Sequence, residues 1–396
     1  MAEPSPRHSD VTPFQVAIPE SDLEDMKSRI RNTRWAPDFG NEDWGYGVER
    51  GWLEDMTRYW SEEFDWRDQE RQINEFPQFM VEIDGIPIHF IHVKGKGPSP
   101  KPLILSHGWP WTFWDWRKVI LPLSDPAAYG GNAEDAFDII VPSLPGFGFS
   151  VPLRDTNVGA RKIADLWHLL MTDVLGYERY CAGGGDWGST ITGEIGHGYP
   201  ESVIGVWLTL PNIPGVKLWE ITGDDFAPDE KWMWERSLDA RPTIQSHSAV
   251  HRKEPQTIAY GLVDSPVGTA AWLWGRRRDW GDHNGDVLSL FDRDFLCTTA
   301  SIYWLNKSIA TSMRIYHDHY LGGQPPEARH DREVAIEVPT AFAVFPKELL
   351  LLPRQVAERK TNLVRWEVQP KGGHYPPSEQ PELVIHELTE FFRGLS

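Results

Sequence analysis

The chain has 396 residues, 40% of them hydrophobic and 24% charged, the composition of an ordinary soluble protein. Lys and Arg number 39 against 58 Asp and Glu, and the net charge of −19 argues against a nucleic-acid backbone or an anionic membrane as partner. Cys181 and Cys297 are too few for a disulfide framework or a cysteine-built zinc site, and no run of about 18 apolar residues could span a bilayer.

The N-terminal MAEPSPRHSDVTP is polar and Pro-rich, without the apolar core of a signal peptide, so a cytoplasmic location is expected. SDLEDMKSRIRNTRW predicts a helix capped by Ser21, with Glu24 completing a capping box and Leu23, Met26 and Ile30 at helical spacing. VERGWLEDMTRYWSEEF predicts a second helix carrying Trp52, Met56, Tyr59 and Trp60 on one face. Asp84-Gly85 between two apolar runs predicts an antiparallel hairpin over 79–93. LILSHGW and FDIIVPSL are unbroken apolar runs ending in Gly- or Pro-rich turns, the mark of parallel strands buried on both faces. A helix near 159–175, a strand into CAGGGD, a helix near 188–198 and the strand VIGVWLTL continue the alternation. From about Pro211 to Arg329 the pattern is helical and rich in Trp, Arg and Asp. Strands resume at TAFAVFP and LVRWEV, before a terminal helix, PELVIHELTEFFRGL. The expected organisation is an α/β core split by an inserted helical cap. Residues 1–95 form the N-terminal helices and hairpin, 96–210 the first part of the core, 211–330 the cap and 331–396 the rest of the core. The 20 Trp residues are a surplus that suits the walls of an apolar cavity, although any single Trp reads equally well as ordinary core.

The sharpest motif is Gly184-Gly185-Asp186-Trp187-Gly188, a G-x-D-x-G between a predicted strand and a predicted helix. Small residues on both sides permit a sharp turn that lifts the central side chain off the sheet; esterases of the α/β-hydrolase fold carry Ser there, and this chain carries Asp. Taken alone, Asp at this point also reads as a plain helix N-cap. Two features weigh toward chemistry. That fold runs in the order nucleophile, acid, base, and Glu348 in FPKELL and His374 in KGGHYPP each follow the C-terminal end of a predicted parallel strand. In addition, His107-Gly108-Trp109-Pro110 follows LILS, where the fold takes one oxyanion-hole N–H, here that of Trp109, with the other from Trp187. A carboxylate gains little by attacking a carboxylic ester, because an anhydride results. Attack on an sp³ carbon with a strained or good leaving group gives an ordinary alkyl ester. His374, oriented by Glu348, would then activate water against that ester. Epoxides and alkyl halides are the substrate classes this chemistry serves.

With these motifs in order, the chain resembles the epoxide hydrolases of microsomal type from about Phe14 onward. DLEDMKSRIRNTRW, FDWRDQERQINEFPQF, SHGWP, PSLPGFGFS, GGGDWGS, VDSPVGTAAW, SMRIYHDH, FPKELL and GGHYPP all stand in family order. The resemblance implies an α/β-hydrolase fold with a helical cap and an N-terminal helical meander embracing the core, without the membrane anchor of the microsomal forms. It implies Asp186 as nucleophile, Glu348 as acid and His374 as base. It also implies two cap tyrosines that hydrogen-bond the ring oxygen. Tyr316 matches the second; at the first position the count lands on His247. Either His247 serves as the donor, or Tyr316 acts alone, or the counterpart is Tyr260, the nearest cap tyrosine. An imidazole donor is a cation below ~6.5, and as such would speed ring opening as pH falls toward ~6.

The expected activity is therefore epoxide hydrolysis to a vicinal diol, with no cofactor and no metal, on a lipophilic or aromatic small molecule. A haloalkane dehalogenase shares the Asp nucleophile and the Trp after it, and a non-catalytic hydrolase fold serving as a binding module is the reading from another class. A twofold homodimer is the expectation from the frequency of such assemblies alone.

Overall fold

A computed structural model describes residues 7–321 and 332–395. One nine-stranded sheet runs through the molecule. Its strands are β1 (Thr12–Phe14), β2 (Gln78–Ile83), β3 (Ile86–Val93), β4 (Lys101–Ser106), β5 (Phe137–Pro142), β6 (Tyr180–Gly184), β7 (Val203–Leu208), β8 (Ile336–Val344) and β9 (Thr361–Val368), in the spatial order β1-β2-β3-β5-β4-β6-β7-β8-β9. Strands β1, β2, β3 and β5 pair antiparallel, and from β5 onward every pairing is parallel. Every residue of β5 and β7 is buried, as unbroken apolar runs require in a sheet covered on both faces. The hairpin turns at Asp84 and Gly85, both at positive φ (51° and 80°), the type I′ geometry that matches strand twist. β1 is too short and polar to show a period, and it exists because Thr12–Phe14 pairs with Gln78–Met80.

Three helices, α1 (Glu20–Arg31), α2 (Arg50–Glu62) and α3 (Trp66–Asn74), precede the hairpin. The expected capping box at Ser21 does not form. The helix starts two residues earlier than a Ser21 cap places it, because Pro19, in extended conformation, turns its carbonyl to the N–H groups of Asp22 and Leu23, and Ser21 Oγ bonds Asp22 instead. Leu23, Met26 and Ile30 are buried as their spacing predicts. In α2, Met56 and Trp60 are fully buried while Trp52 and Tyr59 are half-buried; α3, short and mostly polar, has no apolar period that announces it.

Around the sheet lie α4 (Arg117–Ser124), α5 (Ala160–Leu169) and α6 (Trp187–Gly198). Between β7 and β8 runs a helical insertion of α7 (Lys231–Lys253), α8 (Pro255–Asp264), α9 (Pro266–Trp280), α10 (Arg293–Leu305), α11 (Ser308–Ser312) and α12 (Arg314–Tyr320). Its expected end at 330 lies outside the described residues. The chain closes with α13 (Arg354–Lys360), α14 (Pro376–Glu379) and α15 (Pro381–Arg393). The N-terminal helices are tied to the insertion: Trp60 Nε1 donates to Ser301 Oγ at 3.0 Å, Tyr59 to Asp294 at 2.7 Å and Arg29 to Asp264 at 2.7 Å. The insertion is tied to the core by a buried ion pair, Arg277 on both Asp115 oxygens at 2.7 and 3.0 Å, with a further bond to the Pro110 carbonyl. Among the described residues no helix is long and apolar enough to cross a membrane.

Candidate active site

The carboxyl ends of β4, β6, β8 and β9 converge on one crevice. It opens where neighbouring β4 and β6 send their connections to opposite sides, the place where open α/β sheets keep their chemistry. Asp186 follows β6 at φ 53°, ψ −127°, a strained conformation for a non-glycine residue that holds its carboxylate at the head of α6. Its Oδ1 accepts the Trp109 N–H at 2.7 Å, and its Oδ2 lies 3.1 Å from His374 Nε2. The turn after β4 must come this close: a Cβ on Gly108 would sit 2.0 Å from Oδ1. His107 is buried beneath, neutral, with its pKa lowered by burial to about 4. Its Nε2 accepts the Leu144 N–H, so Nδ1–H donates to the Gly108 carbonyl and braces the turn. The Trp187 N–H opens α6, where first-turn N–H groups have no acceptor within the helix.

Glu348 and His374 meet in the same crevice, both buried, with His374 Nδ1 2.6 Å from Glu348 Oε1. Oε1 also accepts the Leu349 N–H. Burial disfavours the imidazolium, but the charges of Glu348 and Asp186 and the hydrogen bonds to both outweigh it and raise the His374 pKa above the ordinary range. Such a constellation offers a carboxylate with one oxygen in a donor cradle and the other beside a base.

Above Asp186 the insertion contributes Tyr316 and His247, joined at 3.1 Å through the hydroxyl and Nε2. Tyr316 packs edge-on against Trp187 at 4.9 Å, and His247 stacks on Trp109 at 5.0 Å. Burial, reinforced by the Asp186 charge, pushes the Tyr316 phenol well above its ordinary pKa, so it stays a donor. The expectation of a cationic His247 is not met: burial, with Arg276 nearby, lowers its pKa to about 3, and the ring is neutral throughout the physiological range. Tyr260 is also ruled out as the first tyrosine, since it is 73% exposed on α8.

Sequence reasoning missed His251, one helical turn after His247 on α7. Its ring lies 4.6 Å from Trp109 and 4.8 Å from Tyr316, with Nε2 accepting the Trp272 indole N–H. The i, i+4 spacing of the two histidines was the available signal. The Trp surplus divides: Trp109, Trp187 and Trp280 line the site, while Trp60, Trp167, Trp207 and Trp274 are core.

Residues 11–116 match the family model described as epoxide hydrolase N terminus, and residues 101–253 that of the alpha/beta hydrolase fold. A putative epoxide hydrolase of Stigmatella aurantiaca is 37% identical over 97% of this chain and 85% of its own length. Epoxide hydrolase 1 of Oryctolagus cuniculus is 30% identical over 96% and 88%. The solved structure of Aspergillus niger epoxide hydrolase superposes with a TM-score of 0.85 at 28% identity, covering 98% of this chain and 97% of that one. With relatives of that name matched over nearly their full length and the same fold beneath them, this chain belongs to the epoxide hydrolase family.

Proposed function

We propose that the chain opens its epoxide through a covalent ester on Asp186. Oδ2 attacks a ring carbon, the C–O bond breaks, and Tyr316, aided by neutral His247, donates its proton to the departing ring oxygen. Esterification removes the Asp186 charge that helps keep His374 protonated, so the imidazole gives its proton to solvent and becomes a base. His374 then takes a proton from water as the water attacks the ester carbonyl, and Glu348 stabilises the imidazolium that forms. The tetrahedral oxyanion develops on Oδ1, held by the N–H groups of Trp109 and Trp187, each worth ~3 kcal/mol. Collapse breaks the Cγ–Oδ2 bond as the His374 imidazolium returns its proton to the departing alkoxide, releasing a vicinal diol. The second proton of the water then passes to His374, restoring the resting pair, and the Tyr316 phenolate is reprotonated from solvent. The observation that carries this reading is the split surroundings of one carboxylate, with Oδ1 already on the Trp109 N–H and Oδ2 beside His374.

The aromatic walls of Trp109, Trp187, Trp280 and Tyr316 support a lipophilic or aromatic epoxide. The insertion, in its described part from α7 to α12, serves as the cap over the substrate. A twofold homodimer and recovery in the cytoplasmic fraction remain expectations for sizing and fractionation to check. The decisive test of the chemistry is a single turnover in heavy-oxygen water. The label is expected in the peptide containing Asp186 and not in the diol; a labelled first-turnover diol would mean direct attack by water and remove the ester.

A further inference from the structure

The loop that presents His374 is held by an arrangement the reaction scheme leaves unused. Four consecutive main-chain N–H groups are engaged: Gly372 donates to Asp282 Oδ2 at 2.8 Å, Gly373 to Glu379 Oε2 at 2.9 Å, His374 to the Trp280 carbonyl at 3.0 Å and Tyr375 to Glu379 Oε1 at 2.9 Å. Glu379 Oε2 takes a further N–H from Asp282 at 3.0 Å. One carboxylate thus grips the backbone on both sides of His374 and ties it to the segment ending α9. Contact there is backbone to backbone, since a Cβ on Gly373 would lie 2.6 Å from the Trp280 carbonyl oxygen.

Glu379 is buried, and its hydrogen bonds to protein go to N–H groups of the main chain. Burial pushes its carboxyl up to about 7 against the pull of those three N–H groups. A buried carboxylate without a cation is costly, and a neutral amide would be the cheaper way to fix a loop. An amide, however, has one acceptor oxygen, and three N–H groups converging from two sides need both oxygens of a carboxylate. The Trp280 ring meanwhile touches His374 at 5.1 Å and His247 at 5.0 Å, so the segment that Glu379 grips contacts both the base and the ring-opening side.

We propose that Glu379 is a positioning residue: with Trp280–Asp282 it forms a clasp that fixes the His374 imidazole for the hydrolytic half-reaction. The proposal rests on His374 being the base. Alkylation requires Asp186 and Tyr316 in place but no proton transfer to His374, so loosening the clasp should slow only the second step.

The test is rapid-quench mass spectrometry with styrene oxide as probe, resolving formation and decay of the Asp186 adduct. In Glu379→Gln the amide group would face a main-chain N–H, and ester decay is expected to slow by roughly tenfold or more while alkylation stays within about twofold. Glu379→Asp should restore part of the decay rate, because the second acceptor oxygen returns. Asp282→Ala, which frees only the Gly372 N–H, should slow decay less and in the same selective way, and it carries the test alone if Glu379→Gln does not fold. Wild-type decay in Glu379→Gln overturns the clasp. So does a parallel fall of both rates in Glu379→Gln and Asp282→Ala. Failure of His374→Gln to accumulate any adduct is a separate result, which would remove His374 as base whatever Glu379 does.

Discussion

Two buried histidines flank the Trp280 ring, and their surroundings push them in opposite directions. His374, on the loop after β9, lies between two carboxylates and has its pKa raised; His247, on a helix of the insertion, has aromatic rings and a phenol around it and falls to about 3. Burial acts alike on both, so what differs is the charge beside them, two hydrogen-bonded carboxylates at His374 against Arg276 and a weaker pull from Asp186 at His247. In the proposed reaction the floor of the site holds and releases a proton, and its roof stays neutral and donates hydrogen bonds.

Glu348→Gln strikes at what makes the floor different. With the charge gone, His374 should lose the support of its cationic form, and ester hydrolysis should fall by about 10³-fold or more while alkylation changes far less. Steady-state turnover on a substrate limited by hydrolysis, together with adduct mass, reads this directly. Arg277→Met attacks the tie between floor and roof. It leaves Asp115 charged and unpaired in the interior, a loss of ~3–5 kcal/mol that chemical denaturation should register. Replacing both partners with apolar residues should cost much less. On the roof, Tyr316→Phe should slow alkylation by about 10²-fold and His247→Phe by about tenfold, the loss of a general acid against the loss of one hydrogen bond. Because His247 is already neutral, the wild-type alkylation rate should change by no more than about twofold between pH 8 and pH 6. A steep rise toward pH 6 would mean a cationic donor after all.

The same contrast explains what the sequence made legible. Asp186, Glu348 and His374 each follow a strand end, so local motifs placed them in chain order and the sheet brought them together. Strands β4 to β8 were visible because a sheet covered on both faces needs unbroken apolar runs, while the edge strand β9, exposed or half-buried along most of its length, shows only in the mixed run LVRWEV. The roof is made by helices crossing in space; the i, i+4 spacing puts His247 and His251 on one face, but nothing local in the sequence tells that this face turns to Trp109 or that Tyr260 faces solvent. The charge state of His247 was out of reach for the same reason, since it depends on burial that only the packed insertion supplies. α3 was overlooked because it is short and mostly polar, with Trp66, Gln69 and Ile73 as its buried face.

The close approach of Gly108 has an isotopic consequence. Rotation that would exchange the two Asp186 oxygens must sweep one of them through backbone lying within van der Waals contact, after breaking the bond to the Trp109 N–H. The two atoms should therefore keep separate histories. In the proposed reaction the oxygen beside His374 departs in each diol and is replaced from solvent, so every product should carry the water of the turnover before it. The oxygen in the cradle stays. After many cycles in heavy-oxygen water, Asp186 should hold a single heavy atom and retain one that has been there since the chain was made.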